Sequence, residues 1–194
     1  MRRLAPEGEG RGELLRKALH MGTGGGALLL HWTGWWGGLA LAGAGVLFNA
    51  LLLHRVTGGR LLRTHERETG WSWGVVAYPG MVLLVVLCLP GRLELAAGAW
   101  GILAFGDGAA GLVGRYVGGP SLPWNPRKRW WGLVAFVAVG APVAALLVRW
   151  TQMGGAAGVG ASFVVSTGGG TPWLLVGCTA AAVVAGLFES LDSV

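Results

Sequence analysis

The sequence predicts an all-α membrane bundle of about six transmembrane helices, seven if residues 152–167 also cross. Three observations carry that expectation. Of the 194 residues, 53% are hydrophobic and only 12% are charged, with a mean hydropathy of +0.58, whereas a soluble domain carries about a quarter charged residues. Uncharged runs recur at lengths near 20 residues, which is what a helix rising about 1.5 Å per residue needs to cross about 30 Å of hydrocarbon. Arginine and lysine gather in short clusters between those runs. The apolar content excludes a disordered chain, and the 37 glycines follow no three-residue period, which excludes a collagen-like one. A net charge of +6 would suit nucleic acid if the cations lined one soluble face, but they do not. No nucleic-acid partner is expected; anionic headgroups and phosphorylated substrates fit better.

The elements follow in order. Ala18 to His54 holds no Lys, Arg, Asp or Glu and is long enough for two spans, with the turn near Gly34 to Gly38. Thr69 to Gly91 gives a third span, Leu95 to about Gly114 a fourth interrupted by Asp107, and Trp131 to Val148 a fifth. Gln152 to Gly170 is rich in glycine and small residues and makes a poor lipid-facing helix, so it reads as an external loop or re-entrant segment before a last span from Pro172 to Glu189. If 152–167 crossed instead, Glu189 and Asp192 would end on the opposite side from Asp107. Arg2 to Lys17, Arg55 to Arg67 and Arg115 to Arg129 are each separated by two spans, so all three clusters can stay in the cytoplasm. Tryptophan is a second ruler, since indole prefers the headgroup level; nearly every Trp falls near a span end, and Trp100 sits inside one. No cleavable signal peptide is expected, because acidic residues precede the first apolar run and no small-residue cleavage site ends it. Cys88 and Cys178 lie in apolar runs and read as packing residues. Residues 1–194 read as a single domain in an integral membrane protein, with the inner membrane of a prokaryote as the expected location.

Three blocks could carry chemistry. An intramembrane carboxylate is costly and marks a functional site by default, and Asp107 stands between Gly106 and Gly108 in a stretch that continues through Gly114 and Arg115. Such glycines let a phosphate approach closely, and they equally let helices pack closely, with Arg115 neutralising the acid. The second block, Gly118 to Gly132, holds three prolines, Asn125, and the cations Arg127, Lys128 and Arg129. Arginine and lysine suit phosphate oxygens, and a positive-inside anchor would use the same residues. The third block runs from Glu13 through Arg16, Lys17 and His20 to Gly24; Arg16 and His20 are four apart and share a helix face. Carboxylate, glycines and cations together are what metal-assisted phosphoryl transfer from a nucleoside triphosphate needs, with Mg²⁺ anchored at Asp107. No Walker, protein-kinase or His-Glu-x-x-His pattern is present in the sequence.

These blocks resemble the CTP-dependent polyprenol, phytol and diacylglycerol kinases, a family that includes dolichol kinase and is related to the phosphatidate cytidylyltransferases. The resemblance rests on Glu13-x-x-Arg16-Lys17-x-x-His20-x-x-x-Gly24, on Gly106-Asp107-Gly108-x-Ala110-x-x-x-Gly114-Arg115, and on Leu122-Pro-Trp-Asn-Pro-Arg-Lys128 with Gly132 after it. It implies a membrane lipid kinase that uses CTP with Mg²⁺. It implies catalytic roles for Asp107, Arg16 and Lys17, and nucleotide or phosphate contacts at Gly106, Gly108, Gly114, Arg115, Asn125 and Lys128. His20, Glu189 and Asp192 are further candidates. Arg129 and Leu133 stand where the family has Ser and Ser or Thr. The family also continues past Glu189-Ser-Leu-Asp192 into an Asp-Asn motif and another span, which implies that these 194 residues stop short of it. A CDP-lipid-forming cytidylyltransferase and a non-enzymatic transporter or scaffold are the alternatives. The former lacks its His-Gly-Gly and Asp-Arg-x-Asp pattern here.

Overall fold

The computed structural model describes residues 17–52, 55, 73–154 and 171–191, and these form an all-α helical membrane protein. After a helical segment at 17–23, the elements are α1 (Gly26–Leu47), running into a π-helical turn at Phe48–Leu52, α2 (Trp73–Cys88), α3 (Leu93–Gly101), a π-helical turn at Ile102–Gly106, and α4 (Asp107–Tyr116). A hairpin of β1 (Ser121–Leu122) and β2 (Asn125–Arg129) then leads into α5 (Trp130–Gln152), and α6 (Thr171–Leu191) closes the described chain. Gly26–Leu52, Leu93–Tyr116, Trp130–Gln152 and Pro172–Leu191 are long and apolar enough to cross a membrane, and Val76–Cys88 is a shorter apolar helix.

The first of these long helices is folded back on itself. Gly34 has φ 63° and ψ −175°, a left-handed φ that glycine adopts without a Cβ penalty. The consequence is read in contacts that a straight helix could not make. The Cβ position of Gly38 lies 3.2 Å from the Leu30 side chain, and that of Gly26 lies 3.7 Å from Leu41. Residues 15 apart would otherwise stand about 22 Å apart along the axis. Two arms therefore meet at Gly34, inside the stretch expected for the turn between spans one and two.

Neighbouring arms alternate in direction. Trp35 donates its indole N–H to the Val86 carbonyl at 3.0 Å while Gly45 faces Pro79, so the second arm of α1 runs antiparallel to α2. Gly98 faces Val148 and Gly114 faces Gly132, so α3–α4 runs antiparallel to α5. Gly186 faces Leu133 and Phe136, so α6 runs antiparallel to α5 and brings Glu189 back to the end that carries β1 and β2. Residues 155–170, expected to form the external segment, lie outside the described residues. At the opposite end, His31 stacks on Trp150 with ring centroids 4.3 Å apart, and Trp150 donates to the Leu28 carbonyl at 3.0 Å. Trp32, Trp36, Trp130, Trp131, Trp150 and Trp173 are exposed, whereas Trp100 is buried and spends its indole N–H on the Tyr78 hydroxyl at 2.8 Å.

Two matched ridges hold α3–α4 against α5. Lipid tails are as apolar as side chains, so helices associate in membranes through close packing of small residues. Gly98, Ile102, Gly106, Ala110 and Gly114 recur every four residues and meet Gly132, Phe136, Gly140, Ala144 and Val148, also every four. The Cβ position of Gly140 is 3.5 Å from the Gly106 Cα, and that of Gly132 is 3.0 Å from the Ala110 carbonyl oxygen. Any larger side chain there would meet backbone. Buried Ala27, Leu30, Val86, Leu93, Ala97 and Trp100 fill the other side of α3.

Candidate functional site

The site is built at the end of the bundle where α4 begins. The π-helical turn at Ile102–Gly106 immediately precedes Asp107, and such widened turns disturb the regular main-chain ladder. The Leu103 carbonyl in that turn accepts a hydrogen bond from His20 Nε2 at 2.9 Å, which assigns the proton to that nitrogen. The same Nε2 is 3.7 Å from Asp107 Oδ2. Lys17 reaches across from the 17–23 helix and donates to Asp107 Oδ2 at 3.4 Å and to the Asp107 carbonyl at 3.3 Å. Lysine, histidine and carboxylate thus come together from positions about 90 residues apart in sequence.

Side chains behind this group hold it in place. The His20 ring packs on Tyr78 with centroids 3.7 Å apart, and Tyr78 is itself held by Trp100. Thr23 returns its hydroxyl to the His20 carbonyl at 2.7 Å. Gly111 is a residue that the sequence blocks did not single out. A Cβ there would land on the terminal methylene and ammonium of Lys17, so the bare α4 face is what lets Lys17 lie along it. The signal was available in the spacing, because residues four apart share a helix face.

Lys17 and Asp107 keep 20% and 31% of their side chains exposed. The pair is therefore partly buried and partly open at the end of the bundle.

A second group flanks the first. Asn125, 5% exposed, donates its amide to the Ser190 carbonyl at 2.9 Å and accepts the Arg127 backbone N–H at 3.1 Å. Trp124 donates to the Ser190 hydroxyl at 2.9 Å. Lys128 forms an ion pair with Glu189. These contacts dock the hairpin on the end of α6. Positive φ at Gly118 and Gly119 turns the chain out of α4 into that hairpin, a local element that the expected prolyl loop did not include. The ring of Phe136 joins the two groups: the Cβ position of Gly106, beside Asp107, is 3.2 Å from it, and that of Gly186, three residues before Glu189, is 3.1 Å from it.

Of the two uses open to Gly106, Gly108 and Gly114, the structure shows close packing: a Cβ on them would meet Phe136, Met21 and Gly132. Their smallness serves helix packing, because that face of each is filled by a neighbouring helix. Arg115 is exposed and lies about 12 Å along the axis from Asp107; the cation at Asp107 is Lys17. Arg16 and Asp192 lie outside the described residues.

As to metal, no group of three or more His, Cys, Asp or Glu stands together among the described residues. Mg²⁺ is held by one or two carboxylates with substrate phosphates and waters supplying the rest. Asp107 fits that donor set for a metal arriving with a polyphosphate.

Fold and site together define a polytopic helical membrane protein with paired cations and carboxylates gathered at one end. Comparison of the chain with protein-family models, curated proteins and solved structures finds no match in any of the three.

Proposed function

We propose that the chain is a membrane lipid kinase that transfers the γ-phosphoryl group of CTP to the hydroxyl of a long-chain isoprenoid alcohol (phytol, polyprenol or dolichol) or of diacylglycerol. The observation that carries this reading is the meeting of Lys17 with Asp107 at the end of the bundle where Asn125 and Lys128 dock on α6. Residues from all three sequence blocks that resemble the lipid kinases thus belong to one end of the molecule, although they are spread over more than 100 positions.

The chemistry asks little of the protein beyond position and charge. Lys17 and Lys128 neutralise phosphate oxygens, with Arg16 next to Lys17 in sequence as a further cation. Asp107 accepts the hydrogen bond of the lipid hydroxyl and takes up its proton; the same carboxylate would hold Mg²⁺ brought in with the nucleotide, which would supply charge neutralisation on the phosphoryl oxygens. The lipid oxygen forms the new bond to the γ-phosphorus as its proton passes to Asp107, the bond to the bridging oxygen breaks, and CDP leaves with that oxygen. His20 keeps Asp107 and the π-helical turn in register through the Leu103 carbonyl. The lipid reaches the site from the apolar flank, since the helices expose Leu and Val outward.

The end carrying Asp107 faces the cytoplasm in this reading, because Arg115, Arg127, Lys128 and Arg129 gather there. Single-cysteine labelling at positions 60 and 127, in a background lacking Cys88 and Cys178, should be blocked from outside sealed cells; labelling from outside would reverse the orientation.

Membranes containing the protein, incubated with γ-labelled and with α-labelled CTP, test the reaction. Label entering lipid from the γ position alone is the expected result. Label entering from the α position would mean cytidylyl transfer, and no transfer from either would remove the enzyme reading. Preference for CTP over ATP rests on the sequence resemblance, and equal transfer from γ-labelled ATP would refute it.

A further inference from the structure

The ridges that join α3–α4 to α5 end in polar residues at the end of the bundle away from Asp107. Glu94 continues the series Gly98, Ile102, Gly106 by one step of four, and Gln152 continues Gly140, Ala144, Val148 by the same step. The facing pairs place Gly98 against Val148 and Ala144, so the next step outward sets Glu94 opposite Thr151 and Gln152. Glu94 and Thr151 are both 0% exposed. Arg92 Nε donates to Glu94 Oε1 at 2.7 Å, which neutralises the carboxylate. Glu94 Oε2, Thr151 Oγ1 and Gln152 Nε2 are buried without a hydrogen-bond partner, and they are the buried side-chain atoms in that condition among the described residues.

Orphaned polar atoms on both helices at this end of the pair call for a mediator, because each buried polar group left unmade costs about 1–3 kcal/mol. We infer that Glu94, Thr151 and Gln152 enclose a binding site for a single water molecule that ties α3 to α5. The donor set selects water. Glu94 Oε2 accepts, Gln152 Nε2 donates, and the Thr151 hydroxyl does either, so one water can serve all three, within the two to four partners usual for buried water. A cation would meet the Gln152 amide protons and the Arg92 charge.

The test uses the full chain in lipid nanodiscs. Thr151→Val and Gln152→Met should each lower the apparent unfolding temperature by about 2–8 °C, the shift expected for one unmade bond in a chain of this size. Adding Glu94→Met to Gln152→Met should cost clearly less than the two single losses summed, since the water is already gone. Additive losses would overturn a shared site. Experimental density must show one peak within hydrogen-bond distance of all three atoms. A peak that scatters anomalously after rubidium exchange would make the ligand a cation and overturn the assignment.

Discussion

The two ends of the α3–α4 and α5 pair each hold a carboxylate beside a cation, and the environments differ. At one end Asp107 meets Lys17 at 3.4 Å with about a third of its side chain exposed, and His20 stands 3.7 Å away. At the other, Glu94 meets Arg92 at 2.7 Å and is fully buried. The first pair is longer and keeps part of each side chain exposed, so it is the easier of the two to break. Removing Arg92 from the second strands the fully buried Glu94 carboxylate and costs about 3–5 kcal/mol. The difference teaches that the same chemical pair can be an exchangeable site or a structural fastening, and that burial decides which. Lys128 and Glu189, each about a third exposed, belong with the exchangeable kind.

The largest effect that would sharpen this contrast is at Asp107. If Asp107 acts as proposed, Asp107→Asn should lower lipid phosphorylation by on the order of a hundredfold or more, since it removes the charge that would take the hydroxyl proton or hold Mg²⁺. Lys17→Met should follow with a loss of about tenfold to a hundredfold at saturating lipid, read in the same assay. Gly111→Val tests whether Lys17 must lie where it does. The clash falls on the far end of a flexible side chain, so the unfolding temperature should hold while turnover drops about tenfold, equivalent to about 1.4 kcal/mol of barrier. Gly132→Val breaks the comparison from the packing side. Its new methyls meet the Ala110 backbone carbonyl, and overpacking of that kind costs about 1–3 kcal/mol, visible as a fall of several degrees in unfolding temperature. The smallest effect is Trp124→Phe, which forfeits one hydrogen bond to Ser190 and should cost about 1 kcal/mol.

Much of the architecture was legible in the sequence because a bilayer imposes a length and a periodicity that charge-free runs report directly. The turn near Gly34 and the crossing interrupted by Asp107 follow from counting 20-residue runs, and the return of Glu189 to the Asp107 end from reading the glycine-rich stretch at 152–170 as a poor span. What composition could not convey was partner choice. Lys17 rather than Arg115 neutralises Asp107 because the 17–23 helix lies on the bare face at Gly108 and Gly111, a tertiary fact with no local signature. The π-helical turn before Asp107 likewise depends on packing against α5. Gly106, Gly108 and Gly114 illustrate the ambiguity most plainly, since smallness for a phosphate and smallness for a helix look identical in one sequence. Glu94 stands just before the expected fourth span, and only its complete burial marks it.

That the partly exposed pair does chemistry while the buried pair holds the fold is tested most directly at matched membrane abundance. Transfer of γ-label from CTP to lipid is measured for the parent and for Asp107→Asn across a Mg²⁺ titration, with the unfolding temperature of each and of Arg92→Met recorded alongside. Asp107→Asn should lose on the order of a hundredfold in turnover at every Mg²⁺ concentration while its unfolding temperature stays within a few degrees of the parent, and the larger thermal loss should belong to Arg92→Met, which strands the buried Glu94 carboxylate. Turnover by Asp107→Asn within a few-fold of the parent, or a larger thermal loss at Asp107 than at Arg92, would contradict it.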